Sequence, residues 1–101
     1  MRKKGVFIIL LSYIKPLSEV DRFAGEHREF LEHYYASGHF LLSGRMEPRT
    51  GGIILSTAET RAEIENIVLN DPFNREHIAE YEIIEFLPSM AATHLTSLKA
   101  P

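Results

Sequence analysis

His27 and Asp71 are polar residues at positions where apolar side chains are expected. His27 lies four residues after Phe23 and four before Leu31, within the apolar stripe of a predicted helix. Asp71 lies four residues after Ile67, at the end of the buried side of a second predicted helix. An imidazole and a carboxylate that both point inward can form an oriented acid/base pair. Two simpler alternatives stay open, a core histidine bonded to backbone or water and a turn aspartate that accepts backbone amides.

Five further residues could complete a ligand site, namely Ser43, Gly44, Arg45, Phe73 and Tyr34. Ser43 and Arg45 share one face of a predicted strand, and Gly44 between them lets a ligand approach the backbone closely. Arg45 could hold a carboxylate or enolate oxygen by a bidentate contact, or it could be an ordinary surface arginine near a hairpin. Phe73 would form one wall of the pocket. Tyr34 could donate a hydrogen bond to a ligand oxygen or simply pack.

The sequence lacks the spacing motifs of several other chemistries. Its five histidines include no pair at i, i+4 and no HExxH motif, so no metal site is expected. There is no GxGxxG or GxxxxGK[ST] motif for nucleotides and no GxSxG motif for a nucleophilic serine. The absence of cysteine excludes thiolate ligands, cysteine nucleophiles and disulfides, and it fits a reducing compartment. Cofactor-free proton transfer, elimination and plain ligand binding remain.

Length and composition indicate one globular domain over residues 1–101, because 101 residues leave room for a single core. The net charge of −3 and the short basic cluster at residues 2–4 give no electrostatic basis for nucleic-acid binding. Residues 1–14 imitate a signal peptide, but no small-residue cleavage site follows, and the apolar run is too short to span a bilayer. We therefore expect a cytoplasmic protein without a membrane partner.

Hydrophobic periodicity predicts four strands and two helices in the order strand, helix, strand, strand, helix, strand. The predicted strands are Val6–Tyr13, Phe40–Met46, Gly52–Leu55 and Tyr81–Leu87. This order is the βαββαβ pattern of a ferredoxin-like α+β fold. Right-handed crossovers then place both helices on one face of a four-stranded antiparallel sheet.

Capping signals set the bounds of the two predicted helices. The first helix begins at Leu17-Ser18, with Ser18 and Asp21 as a capping box, and runs to about Ser37, where Gly38 provides a left-handed stop. The second helix has Ser56 and Glu59 as its capping box and runs to about Asn70. Pro72 disfavours helical geometry at Asp71, which is therefore expected at or just past the helix end. Pro48–Gly51 has the composition of a hairpin between the middle strands.

The first and third predicted strands are apolar on both faces, although the helices can cover only one face of the sheet. A second copy of the same sheet is the simplest cover for the other face. The pattern therefore predicts a homodimer through the open sheet face. The core of the domain is expected over about residues 5–88, and residues 89–101 form a mildly apolar tail.

Four segments of the chain resemble the YciI-like (YCII-related) family: HREFL at 27–31, GHFLLSG at 38–44, NDPF at 70–73 and YEIIEF at 81–86. The resemblance implies a dimeric ferredoxin-like fold, related to the dimeric α/β-barrel proteins, with a site centred on His27 and Asp71. Ser43 and Gly44 match small residues of the family's second strand, whereas Arg45 matches no fixed family residue. One branch of the family eliminates chloride from a chlorinated hydroquinone, and related dimeric barrels include isomerases of muconolactone type.

These residues favour a cofactor-free enzyme of the lyase or isomerase type. His27 would move a proton on a small cyclic or carbonyl-bearing substrate, Asp71 would orient the imidazole, and Arg45 or Ser43 would hold an oxygen. The alternative is a non-catalytic small-molecule-binding or regulatory module with the same pocket. A third possibility is a structural protein whose pocket is too small for any ligand.

Overall fold

The structure, a computed structural model, describes residues 4–100, so part of the basic cluster at residues 2–4 and the last residue of the tail lie outside it. These residues form four strands and four α-helices. In chain order they are β1 (Gly5–Tyr13), α1 (Leu17–Arg22), α2 (Ala24–Ala36), β2 (Phe40–Arg45), β3 (Gly51–Ala58), α3 (Arg61–Val68), α4 (Pro72–Arg75) and β4 (Ala79–Phe86). A 3₁₀ helix, Thr93–Leu98, lies in the tail.

The four strands form one antiparallel sheet in the order β2-β3-β1-β4. β1 lies between β3 and β4, with Ile9 opposite Ile54 on one side and Ile83 on the other. This central place fits the apolar sequence of β1, because a central strand has neighbours on both edges and side chains on two faces to cover. The order of elements and the strand order are those of the ferredoxin-like α+β fold, and the fold-class prediction is confirmed.

The helices all pack on the same face of the sheet. Phe7, Ile9 and Leu11 alternate along β1 and are fully or almost fully buried in one hydrophobic core. The helical residues of that core are Val20, Phe30, Ile64, Ile67, Val68 and Phe73, which come from all four helices. The residues that alternate with the core set on the strands therefore lie on the opposite, open face.

The open face carries apolar side chains, as the two-sided pattern of β1 predicts. By register this face includes Leu42 on β2, Ile53 on β3 and Ile84 on β4. Their exposed fractions are 67% for Leu42, 43% for Ile53 and 38% for Ile84. A cluster of this kind on one flat surface is typical of an interaction site rather than of scattered surface residues.

The first predicted helix is wrong in two details. It is divided at Phe23, whose backbone angles of φ −106° and ψ 7° leave the helical range, and whose amide bonds to the carbonyl of Val20 at 3.2 Å. The predicted capping box of Ser18 and Asp21 does not form, because α1 already begins at Leu17 and Ser18 lies inside it. The predicted stop is present, since Gly38 has a φ of +86°.

The second predicted capping box is also wrong. Ser56 lies inside β3, fully buried, and its hydroxyl donates to the carbonyl oxygen of Phe7 at 3.1 Å. The strand continues to Ala58 because its residues pair with β1 as far as Gly5. The cap is Thr60, whose hydroxyl oxygen accepts from the amide of Glu63 at 3.2 Å. The helix therefore begins at Arg61, five residues beyond the predicted cap.

No helix among residues 4–100 is both long enough and apolar enough to cross a lipid bilayer. The expected cytoplasmic location stays a prediction.

Candidate active site

Asp71 is placed by a short turn between two helices. Its backbone is extended, with φ −73° and ψ 126°, as expected for a residue that precedes a proline, and Pro72 begins α4. The carboxylate caps this helix, since Oδ1 accepts from the amide of Phe73 at 3.0 Å. The prediction that Asp71 lies just past the end of the preceding helix is confirmed. Its side chain is fully buried.

His27 meets this buried carboxylate. The two side chains come from α2 and the start of α4, and Nδ1 of His27 lies 2.8 Å from Oδ1 of Asp71. The imidazole also stacks on the ring of Phe73, with centroids 4.1 Å apart and planes only 5° from parallel. One bond and one stacking contact therefore hold the imidazole in a single orientation.

Tyr81 completes the environment of Asp71 from the sheet. Its hydroxyl donates to Oδ2 of Asp71 at 2.5 Å, a short bond of the kind that charged acceptors make. Burial, together with the neighbouring carboxylate, raises the pKa of the Tyr81 phenol far above its ordinary value, so the phenol keeps its proton. This residue was not among the predicted site residues, because a tyrosine on a strand resembles any core aromatic.

The donors around Asp71 fix the tautomer of His27. The Phe73 amide and the Tyr81 hydroxyl both donate to the carboxylate, so an ionised Asp71 accepts from every neighbour, Nδ1–H of His27 included. In the neutral imidazole, Nε2 then carries a free lone pair. Nε2 has no hydrogen-bond partner among residues 4–100. Since no side-chain nitrogen or oxygen in these residues is both buried and unpaired, Nε2 is accessible to solvent or a ligand. A base of this form can accept a proton at Nε2 while Asp71 stabilises the cation.

A cavity of about 280 Å³ lies beside His27 and Phe73. The second strand supplies its opposite wall through Ser43, Gly44 and Arg45. The register of β2 and β3 places Ser43 and Arg45 on the helix-covered face of the sheet, opposite Ile54 and Gly52. The structure thus brings five of the seven residues singled out in the sequence to one cavity, and Asp71 lies directly behind His27. The volume is close to the lower end of the range for small-molecule pockets.

Ser43 and Tyr34 have contacts that constrain their possible roles. The hydroxyl of Ser43 lies 2.6 Å from that of Tyr35, so Ser43 already has a polar partner. Tyr34 does not line the cavity beside His27. Its ring packs against Phe30 and Phe40, and its hydroxyl accepts from the side-chain amide of Asn70 at 3.0 Å. The packing alternative for Tyr34 therefore agrees with its surroundings.

Two arginines that were not singled out in the sequence also line the cavity. Arg28 follows His27 on α2, and Arg49 comes from the hairpin between β2 and β3. The guanidinium of Arg49 bonds to the carboxylate of Asp21, which raises the pKa of Arg49 above its already high ordinary value. Neither arginine has a motif around it, so only the three-dimensional fold reveals their place at the cavity.

Within residues 4–100, no three histidine, cysteine, aspartate or glutamate side chains are grouped closely enough to hold a metal ion. The polar groups at the cavity are one imidazole, hydroxyls and guanidiniums.

The fold and this geometry define a ferredoxin-like α+β protein with a histidine–aspartate pair beside a small cavity. The family model of the YCII-related domain matches residues 6–87. The chain therefore belongs to the YCII-related family, and the resemblance noted in the sequence is confirmed.

A solved structure with a similar fold is 5-chloro-2-hydroxyhydroquinone dehydrochlorinase (TftG) from Burkholderia phenoliruptrix AC1100, in complex with 2,5-dihydroxybenzoquinone. The two chains superpose with a TM-score of 0.71 and are 20% identical, and the match covers 82% of this chain and 94% of that one. At this identity the likeness concerns the fold. Among curated proteins, no sequence matches this chain.

Proposed function

We propose that this protein is a cofactor-free enzyme of the lyase or isomerase type, in which His27 transfers a proton on a small cyclic or carbonyl-bearing substrate. The observation that carries this proposal is the 2.8 Å bond between Nδ1 of His27 and the buried carboxylate of Asp71. A structural histidine needs no ionised partner that is held by two further donors. A histidine that gains and loses a proton benefits from such a partner, because the carboxylate stabilises the imidazolium.

The proposed step begins with a substrate C–H or O–H close to Nε2 of His27. The proton moves to Nε2, and its electron pair passes into the substrate as an enolate or a new double bond. In an elimination, that pair expels a leaving group as an anion; in an isomerisation, the imidazolium returns the proton to another atom. After an elimination, the imidazolium passes its proton to water, so that the overall loss is that of a proton and the anionic leaving group. Both routes then leave His27 neutral at the end, and no external oxidant or reductant is required.

Arg45 is the candidate group for the oxygen on which negative charge develops. It lies on the helix-covered face of β2 and lines the same cavity as His27. A guanidinium beside an enolate oxygen stabilises the charge formed during proton removal. Ser43 lines the same wall, although its hydroxyl already bonds to Tyr35, so it would bind a ligand only as part of that pair.

The related structure supports this substrate class. TftG is by name a dehydrochlorinase of a chlorinated hydroxyhydroquinone, and its bound 2,5-dihydroxybenzoquinone is a small oxygenated ring. Here the cavity joins apolar walls, including Leu11 and Ile54, with an imidazole and guanidiniums. A small ring with oxygen substituents would suit both parts of this lining.

The wild-type protein offers a direct test of proton transfer. We expect it to release chloride from 5-chloro-2-hydroxyhydroquinone, or in D₂O to exchange the ring hydrogens of 2,5-dihydroxybenzoquinone, faster than buffer does. The ¹⁵N spectrum of His27 should show Nδ1 protonated and Nε2 free in the neutral ring. Binding of both compounds without release or exchange would contradict an enzyme for this substrate class and favour the binding-module alternative.

We also propose that the open sheet face pairs with that of a second copy. The support is the exposure of Leu42, Ile53 and Ile84 on one surface, since monomers rarely leave such side chains grouped in water. Leu42→Lys is expected to shift the protein toward monomer in light scattering coupled to size-exclusion chromatography.

Leu69→Lys is the matched control for this dimer. Leu69 is 66% exposed, almost as much as Leu42, but it follows α3 on the helical side of the sheet. The control should therefore keep the oligomeric state of the wild type. A wild-type monomer, or equal behaviour of the two variants, would refute the proposed interface.

A further inference from the structure

The cavity beside His27 is positively charged, although the protein as a whole is not. Arg28, Arg45 and Arg49 all line it, and its lining includes no aspartate or glutamate. The chain carries a net charge of −3, with 14 acidic residues against 11 lysines and arginines. Three arginines at one small cavity therefore depart from the general charge balance of this protein. Such a concentration of one sign favours ligands of the opposite sign.

Ion pairing separates the arginines at the cavity from those elsewhere. Among the residues that the structure describes, each arginine away from the cavity pairs with a carboxylate: Arg22 with Glu19, Arg61 with Glu65, and Arg75 with Glu26 and Glu76. At the cavity, Arg49 pairs with Asp21. Arg28 and Arg45 have no carboxylate within ion-pair distance in residues 4–100. Within residues 4–100, the two arginines without a carboxylate partner are therefore Arg28 and Arg45, and both line the cavity.

The two unpaired guanidiniums approach the cavity from different layers of the fold. Arg28 comes from α2, one residue after His27, while Arg45 comes from β2 opposite Gly52, which has no side chain to fill the space between strand and cavity. Leu31 and Ile54 add apolar surface to the same cavity. A ligand that fits this arrangement has an apolar body and a compact anionic group.

We propose that the ligand of this cavity is a small cyclic acid, whose carboxylate Arg28 and Arg45 bind while its ring lies within reach of Nε2 of His27. This proposal rests on the proposed function, because it names the substrate class of the same site. Arginine suits the task, since its planar guanidinium matches the two oxygens of a carboxylate. With such a ligand, Arg45 would hold the carboxylate rather than an enolate oxygen. The bound carboxylate would orient the ring, while His27 acts on a different atom.

Two probes that share one ring can test the charge requirement. We expect 2,5-dihydroxybenzoate to bind at least about 10-fold more tightly than 2,5-dihydroxybenzamide in calorimetric titrations at pH 7 and low salt. The two compounds differ in charge but hardly in shape. Added salt should weaken binding of the acid and leave that of the amide nearly unchanged.

Three variants assign this selectivity to the arginines. Arg28→Gln and Arg45→Gln should each weaken binding of the acid by roughly 10-fold and leave binding of the amide unchanged. Arg61→Gln, on the exposed side of α3, is the matched control and should keep the preference of the wild type. Equal binding of acid and amide, no binding of the acid at millimolar concentration, or unchanged selectivity in both cavity variants would each overturn the proposal.

The same measurements separate this proposal from the proposed function. Selectivity for the acid that depends on Arg28 and Arg45 supports the anion site, whether or not the wild type exchanges or eliminates anything. If His27 catalyses proton exchange in a neutral ring but the acid gains no affinity from the arginines, the proton-transfer function stands and the anion site is refuted.

Discussion

Asp71→Asn is expected to lower turnover on an identified substrate by roughly 10²- to 10⁴-fold. The bond from Nδ1 of His27 to the carboxylate keeps Nε2 unprotonated and stabilises the imidazolium that forms there. Asparagine is nearly the same size but carries no charge, and its amide nitrogen can donate to Nδ1 and favour the opposite tautomer. Loss of the charge removes the stabilisation of the imidazolium, and the opposite tautomer places a proton on Nε2, where the base must be free. Steady-state kinetics and the ¹⁵N spectrum of His27 measure the two effects separately.

Variants of His27 test whether the loss of turnover in Asp71→Asn arises because His27 and Asp71 act together. His27→Gln should lower turnover about as much as Asp71→Asn, and the double variant should lose little more, because the two residues act as one unit. His33→Gln, on the same helix but against the ring of Tyr34, is the control and should retain turnover. An Asp71→Asn enzyme with wild-type turnover would show that the pair is not used in the reaction.

The fold was predictable because its signals are repeated along the chain. Short apolar runs and their spacing predicted four strands in the right order, and the βαββαβ order leaves few arrangements of one sheet. Single-residue signals were less reliable. The S-x-x-E pattern at Ser56 is followed four residues later by Thr60-x-x-Glu63, and the competition between them was decided by pairing of β3 with β1, which local sequence does not contain.

The site was predictable in part, for a related physical reason. His27 and Asp71 stood out because each interrupts an apolar pattern, yet they are 44 residues apart, and only the packing of α2 against α4 shows that they touch. Tyr81 gave no such signal, since a phenol on the buried face of a strand is an ordinary core residue until its hydroxyl meets a carboxylate. Arg28 likewise looked like part of a solvated helix face.

Tyr81→Phe is expected to lower the free energy of unfolding by about 1–3 kcal/mol at pH 7. The change removes one hydroxyl and leaves Oδ2 of the fully buried Asp71 without its donor. For a domain of this size, each kcal/mol corresponds to roughly 4–8 °C in Tm. Tyr35→Phe is the matched control. The hydroxyl of Tyr35 also bonds to a side chain, at 2.6 Å from the Ser43 hydroxyl, but the residue is 39% exposed. Urea unfolding at one protein concentration compares the two, and equal stabilities would contradict the role assigned to Tyr81.

For the same variant we also predict a changed pH dependence of the free energy of unfolding at alkaline pH. Burial and the Asp71 carboxylate raise the pKa of Tyr81 above its ordinary value of 10.0, so above about pH 10 the unfolded chain loses a proton that the folded protein keeps. The resulting stability is complete below pH 10 and declines above it by up to about 1.4 kcal/mol per pH unit. The stability of Tyr81→Phe should decline less steeply and converge on that of the wild type as pH rises. Parallel curves for wild type and Tyr81→Phe would mean that the phenol is not held protonated by Asp71 and the surrounding core.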